Sequence, residues 1–158
     1  LGMARKLTAR TKCLQAFQRY ARLLRANDYG YVSCISCNSY MMPWNQCDGG
    51  HYISRMNRPT ELEIDNVWPQ CKECNCEKQG NPLFYRTNLI SRIGLERVER
   101  LENMALAKQN PDLLPTLSKT DQEIVTHKKT DAEYEKLYRY YNSECTRLIN
   151  EKGLKIAY

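Results

Sequence analysis

No run in the 158 residues approaches the roughly eighteen apolar positions of a membrane span, so the chain reads as soluble. No charged-then-apolar leader opens it, which argues against reading its eight cysteines as a secreted disulfide framework and for a reducing, intracellular setting. Low-complexity tracts are missing, and nothing repeats except a paired-cysteine knuckle. Histidine is scarce: His51 and His127 are the two present. Acidic residues are absent from positions 1–27, which hold Arg5, Lys6, Arg10, Lys12, Arg19, Arg22 and Arg25, whereas the part from Leu117 onward is nearly balanced. A merely solvated face mixes signs, so a one-sign end in a chain of formal charge +6 points to a polyanionic partner.

The cysteines that are present fall in a pattern. Cys34/Cys37 and Cys71/Cys74 are two Cys-x-x-Cys pairs, the spacing at which four thiolates surround one tetrahedral Zn2+. Such a site has no open coordination position, so the zinc is expected to hold the fold while the chemistry sits beside it. Cys47 and Cys76 belong to no such pair. Cys13 and Cys145 read as small apolar residues on helices.

Periodicity predicts a helix from Thr8 to Asn27 with Leu14, Phe17, Ala21 and Leu24 on its apolar face and Lys12, Arg19 and Arg22 on another. The stretch Met41 to Tyr52 reads as a turn entering a short hairpin whose second part carries His51, and the second knuckle opens a short helix stopped at Gly80. Pro82 opens a helix running to Ile93, broken by Gly94. Leu95, Val98, Leu101 and Ala105 mark the next one. Pro111 and Pro115 bracket a loop. Ser118 or Thr120 then caps a last long helix from Asp121 to Glu151, whose seam of Tyr134, Tyr138, Tyr141, Cys145 and Leu148 packs on the core or joins a second copy. The expected fold class is α+β: a small zinc-bound ββα core, residues 31–94, between a basic N-terminal helix, 1–30, and a helical extension, 95–158, predominantly helical and one unit.

His127 lies in a polar helical run and reads as a surface residue. His51 differs, because it follows a diglycine that lets backbone and ligand approach, lies three residues after Asp48, and sits between the zinc pairs. A neutral imidazole there is a candidate general base for phosphodiester hydrolysis, with Asn66 as the group that orients its other nitrogen. Asp48 and Asn75 offer the hard oxygens that suit Mg2+ or Mn2+. Arg10, Lys12, Arg19 and Arg22, with Lys78, Arg86 and Arg92, are candidates for DNA phosphate contact, the last two having salt bridges to Glu96 or Glu99 as the alternative. Trp44 and Trp68 read as core.

Taken together, Cys34-Ile35-Ser36-Cys37, Asp48-Gly49-Gly50-His51-Tyr52, Asn66, Gln70-Cys71-x-x-Cys74-Asn75, Lys78-x-Gly80-Asn81, Tyr85-Arg86 and Leu89-Ile90-Ser91-Arg92-Ile93-Gly94 resemble the NinG (Rap) family of lambdoid phage recombination proteins, within the zinc-clamped HNH (ββα-metal) nucleases. The resemblance runs from about Val32 to Leu101. It implies a structure-specific, divalent-metal-dependent DNA endonuclease acting on branched recombination intermediates such as Holliday junctions or D-loops, encoded by a phage or prophage and working in the bacterial cytoplasm beside recombination proteins. Paired incision of a four-way junction favours two active sites and hence a homodimer, with the long C-terminal helix as its seam. One departure stands out: many HNH enzymes carry a metal ligand immediately before the base, where this chain has Gly50. The rival readings are a zinc-stabilised DNA-binding module without catalysis and an HNH nuclease that cuts or nicks linear duplex.

Overall fold

The computed structural model describes residues 4–38 and 41–155. Residues 1–3 and 156–158, at the outer ends of the first and last predicted segments, lie outside that description. Helix α1 spans Ala9–Arg25, capped by the Thr8 side chain on the Thr11 amide. Strands β1 (Tyr31–Ser33) and β2 (Met41–Pro43) pair antiparallel around the first knuckle. Strand β3 (Asp48–His51) pairs antiparallel with β4 (Val67–Gln70), His51 opposite Val67 and Asp48 opposite Gln70. The Ile35 amide, donating to the Pro69 carbonyl at 2.9 Å, ties the first knuckle to β4. His51 therefore ends the first strand of its hairpin, not the second, and the partner strand arrives only after the long loop 52–66.

Beyond β4 the chain enters Cys71 directly and forms a π-helical turn over Glu73–Glu77. Helix α2 spans Pro82–Ile93 with Pro82 in its first turn, and α3 spans Leu95–Gln109. Gly94 separates them at φ +87°, a left-handed conformation that disfavours any side chain. A 3-10 segment, Pro111–Thr116, leads to α4 (Lys119–Thr126, capped by Ser118) and α5 (Asp131–Glu151). The predicted single last helix is thus two. Thr130 and Glu133 exchange side-chain and backbone bonds in a capping box that restarts the helix at Asp131.

Helix α1 is buried on two sides. Phe17 and Ala21 pack with Val67 of β4, and Leu23 packs with Cys145 and Leu148 of α5. Residue 23 is the buried leucine, and Leu24 is 39% exposed, because a helix sandwiched between sheet and helix needs a wider apolar arc than one stripe. The α5 seam faces α1 of the same chain: Tyr141 meets Phe17 edge-on with ring centroids 4.9 Å apart. It is occupied, so it is not a free dimer seam. On the other side of β4, Ile35, Tyr85 and Leu89 join Val98 and Leu101 of α3, and Met104 and Ala107 carry that core on to Val125 of α4. The register of α3 is set by Met104 in place of Ala105. Burying each such large side chain stabilises by about 1.5–3 kcal/mol. The result is a predominantly helical α+β fold with two small antiparallel sheets.

Candidate active site

The Sγ atoms of Cys34, Cys37, Cys71 and Cys74 all lie within 4.8 Å of one another, with Cys37 and Cys71 at 3.8 Å. Four sulfurs about 2.3 Å from one tetrahedral ion stand at this kind of separation, so the donor set and its spacing fit zinc. The turn after β1 delivers one pair and the end of β4 the other. Burial first, and then the neighbouring thiols of Cys74 and Cys34, push the Cys71 thiol up to about 12; a bound cation reverses that by taking the thiolate. The Cys74 amide donates to Cys71 Sγ at 3.4 Å and the Asn81 side chain to Cys74 Sγ at 3.5 Å, second contacts that orient ligand sulfurs. Cys47 is buried against the Trp44 carbonyl, outside the cluster, and Cys76 is exposed. Cys13 and Cys145 are buried, Cys145 beside Leu23 and Leu148.

His51 lines a cleft of about 360 Å³ together with Gln18, Gly49, Arg55, Asn75 and Gly80. Its Nε2 lies 2.9 Å from the Glu61 carbonyl oxygen, an acceptor only, so Nε2 carries the hydrogen and Nδ1 is the basic atom. Burial is the largest influence on the ring and lowers its pKa below the usual 6.5, outweighing the upward pull of that carbonyl. The imidazole is neutral at pH 7. Asn66 does not reach it. Its side chain, fully buried, donates to the Ile53 and Thr60 carbonyls at 3.0 Å each and accepts from the Ile53 amide at 2.8 Å. Asn66 staples the two ends of loop 52–66, and the loop presents the Glu61 carbonyl. The predicted direct orienter is thus a residue acting through the loop.

The Glu61 carboxylate is also fully buried. It accepts from Arg10 of α1 at 2.8 Å and from the Tyr134 hydroxyl of α5 at 2.5 Å. One residue therefore joins α1, α5 and the group that aims His51. Nothing in the sequence marks it among eighteen acidic residues.

Asp48 and Asn75 meet: the Asn75 amide donates to Asp48 Oδ2 at 3.0 Å, and the Lys72 ammonium lies 2.6 Å from Oδ1. Desolvation raises this carboxyl, but the Lys72 and Asn75 hydrogen bonds prevail and hold it below the usual carboxylate range. Strand alternation turns residues 48 and 51 to opposite faces of β3; Asn75, on the π-helical turn, touches Asp48 and lines the His51 cleft. A carboxylate and an amide oxygen suit a hard cation, and the ammonium already seated on Asp48 marks a place where positive charge is held.

The diglycine before His51 serves packing. A Cβ on Gly49 would stand 2.8 Å from Gln18 of α1, and one on Gly50 2.0 Å from Gln70 Oε1. Gln70 is fully buried, its Nε2 donating to the Ser36 hydroxyl at 2.8 Å and the Gly80 carbonyl at 2.7 Å, while its Oε1 has no hydrogen-bond partner among the described residues. The place before His51 holds glycine because a glutamine fills the space.

The candidate DNA-binding cations are distributed unevenly. Arg22 donates to the Trp44 and Cys47 carbonyls at 3.2 and 2.9 Å, and Arg10 is held by Glu61. Lys12 stands 3.5 Å from Glu135, and Arg19 bonds Asn142. Lys12, Arg19 and Arg22 still line a groove of about 650 Å³ between α1 and α5. It is larger than the cleft, but the side-chain chemistry is at His51. Lys78 pairs with Glu73 at 3.0 Å, and Arg86 pairs with Glu102 at 2.9 Å, a partner one turn beyond those expected. Arg92 is exposed, with Ser33 Oγ at 3.5 Å. Trp68 is half-buried under Arg25, whose guanidinium carbon is 3.7 Å from the ring centroid. No helix among the described residues is long and apolar enough to cross a membrane.

Residues 4–111 match the family model described as Bacteriophage Lambda NinG protein. Over 91 residues the chain is 38% identical to Protein ninG of Escherichia phage 933W and of Escherichia phage lambda, and 37% identical to Protein ninG of Salmonella phage P22. Each match covers 56% of this chain and 43% of the relative, so the chain spans less than half the length of these relatives. No solved structure matches.

Proposed function

The chain belongs to the NinG family, and we propose that its His51 cleft hydrolyses phosphodiester bonds of DNA as a metal-dependent, HNH-type endonuclease. The observation that carries the reading is the neutral His51, held through Nε2 on the Glu61 carbonyl with Nδ1 left as the base. Nδ1 takes a proton from a water placed in line with the phosphorus, and the carbonyl keeps the ring in the tautomer that allows it. Glu61, clamped by Arg10 and Tyr134, fixes that carbonyl. Asp48 and Asn75 would hold Mg2+ or Mn2+, which supplies charge neutralisation at the phosphate and the leaving oxygen. The four-cysteine cluster, filled by zinc, holds β1, β4 and the π-helical turn together and takes no part in the reaction.

The substrate we assign is a branched recombination intermediate, a Holliday junction or D-loop, in the cytoplasm of a bacterium infected by or carrying the phage. Two incisions per junction call for a homodimer; with the α5 seam covered by α1, its contact lies on another face. Recombination proteins are the expected partners.

The test is cleavage of a labelled four-way junction beside matched linear duplex, with Mg2+ or Mn2+, by wild type and His51→Ala. The expected result is nicking of the junction by wild type, with His51→Ala binding normally and cutting at least about 100-fold more slowly. Equal rates on both DNAs would replace the branched substrate by linear duplex. Binding without cutting by either protein would leave a zinc-stabilised DNA-binding module. With the His51 pKa lowered, the rate is flat above pH 6.5 and falls as pH drops through that lowered value. Stability has the same sign: the unfolded chain binds the proton more readily, so the fold weakens as pH falls below 6.5. A rate that rises steadily from pH 7 to 9 would remove His51 as the base.

A further inference from the structure

A second pocket, about 280 Å³, lies where the end of α3 meets the break between α4 and α5, and Arg58, Lys108, Lys128 and Lys129 line it over a floor of Val125 and Tyr134. No carboxylate pairs with any of these four cations among the described residues, although ten Lys or Arg ion pairs form elsewhere. Arg58 has a loose bond to the Tyr134 hydroxyl at 3.4 Å, and His127 in the wall is turned to Glu133 at 2.7 Å. The bland account is that lysines here answer the negative C-terminal ends of α3 and α4. Each end is worth roughly half a charge, and the start of α5 supplies about half a positive one, so the cations remain in clear excess. Solvated lysines also spread apart when nothing gathers them; these are brought together from three separate elements.

We infer that this pocket is a second phosphate-binding site for the DNA substrate, seating a backbone phosphate beside the one being cut. This rests on the nuclease reading above. Arg58 is three residues from Arg55, which lines the His51 cleft, so their Cα atoms are at most about 11 Å apart. One loop therefore lends an arginine to each cavity, so the occupant we assign to both is a single bound DNA backbone. The pocket is also built in part from residues after 111, beyond the stretch that matches the family model. A feature of this kind tunes how one member seats DNA without altering the chemistry.

The test is DNA binding by the zinc-loaded full chain, without added Mg2+ or Mn2+, at several salt concentrations. Wild type is compared with Lys108→Ala/Lys128→Ala/Lys129→Ala and with a control of equal charge, Lys136→Ala/Arg139→Ala/Lys155→Ala. The pocket variant is expected to bind roughly tenfold more weakly, with a slope of log affinity against log salt shallower by about one, an unchanged melting temperature, and a control close to wild type. An unchanged slope and affinity in the pocket variant overturns the inference and leaves the nuclease reading standing. An equal loss in the control also overturns it, since bulk charge then explains the effect. Failure of wild type itself to bind DNA overturns both, and is told apart because the defect precedes any substitution.

Discussion

Along α1, Arg10 is held by the buried Glu61, Arg22 by two backbone carbonyls, and Arg25 by the Ile64 carbonyl and the face of Trp68. At the break between α4 and α5, Lys128 and Lys129 stand with Lys108 and Arg58 around an open pocket, without carboxylate partners among the described residues. The first region carries the one-sign charge in the sequence; the second draws Lys128 and Lys129 from the nearly balanced part after Leu117. Charge counted along a chain is therefore not charge available to a ligand. An arginine satisfied inside contributes to the fold, and a lysine left outside keeps its charge for a ligand.

Substitutions at the two places sharpen that contrast. The largest effect belongs to Arg10→Ala, which strands the Glu61 carboxylate in the interior: about 3 kcal/mol or more of stability is lost, or roughly 6–12 °C in melting temperature. A loss below about 1 kcal/mol in denaturant unfolding would mean that the buried pair is not what holds α1. Next comes Arg22→Ala, which leaves the Trp44 and Cys47 carbonyls short of a donor and costs about 2 kcal/mol by the same measurement. Arg25→Ala follows at about 1–2 kcal/mol, and Arg25→Lys recovers only part, because an ammonium cannot stack flat on Trp68 as a guanidinium does. The smallest change is expected in the triple alanine variant of Lys108, Lys128 and Lys129, within about 0.5 kcal/mol of wild type. A large destabilisation there would reverse the contrast and make those lysines structural.

What the sequence revealed follows physical range. The zinc cluster was legible because two Cys-x-x-Cys spacings are local and specific, and both ends of α2 were marked by Pro82 and Gly94. His51 stood out by rarity. The break before α5 is also written locally, in the Thr-x-x-Glu string at 130–133, but the apolar seam reads through it. The Glu61 carbonyl was not legible: a backbone acceptor ten residues from His51 has no side-chain signature, and which loop reaches the ring is decided by tertiary packing. For the same reason Asn66 stands one contact further from His51 than its position suggests. The fate of the α1 cations was hidden too, since helical periodicity shows a face but not what covers it.

Gly50 has a consequence for how this sequence can change. A Cβ at residue 50 would occupy the space of the buried Gln70 amide, so residue 50 cannot gain a side chain while Gln70 stays in place. A sequence that acquires an acidic side chain immediately before His51 must shorten residue 70 first, giving up the links to Ser36 and Gly80, or pass through an overcrowded intermediate. The order of the two steps is fixed by sterics. The route from this arrangement to one with an acid beside His51 is thus a gated path, open in one sequence of events and closed in the other.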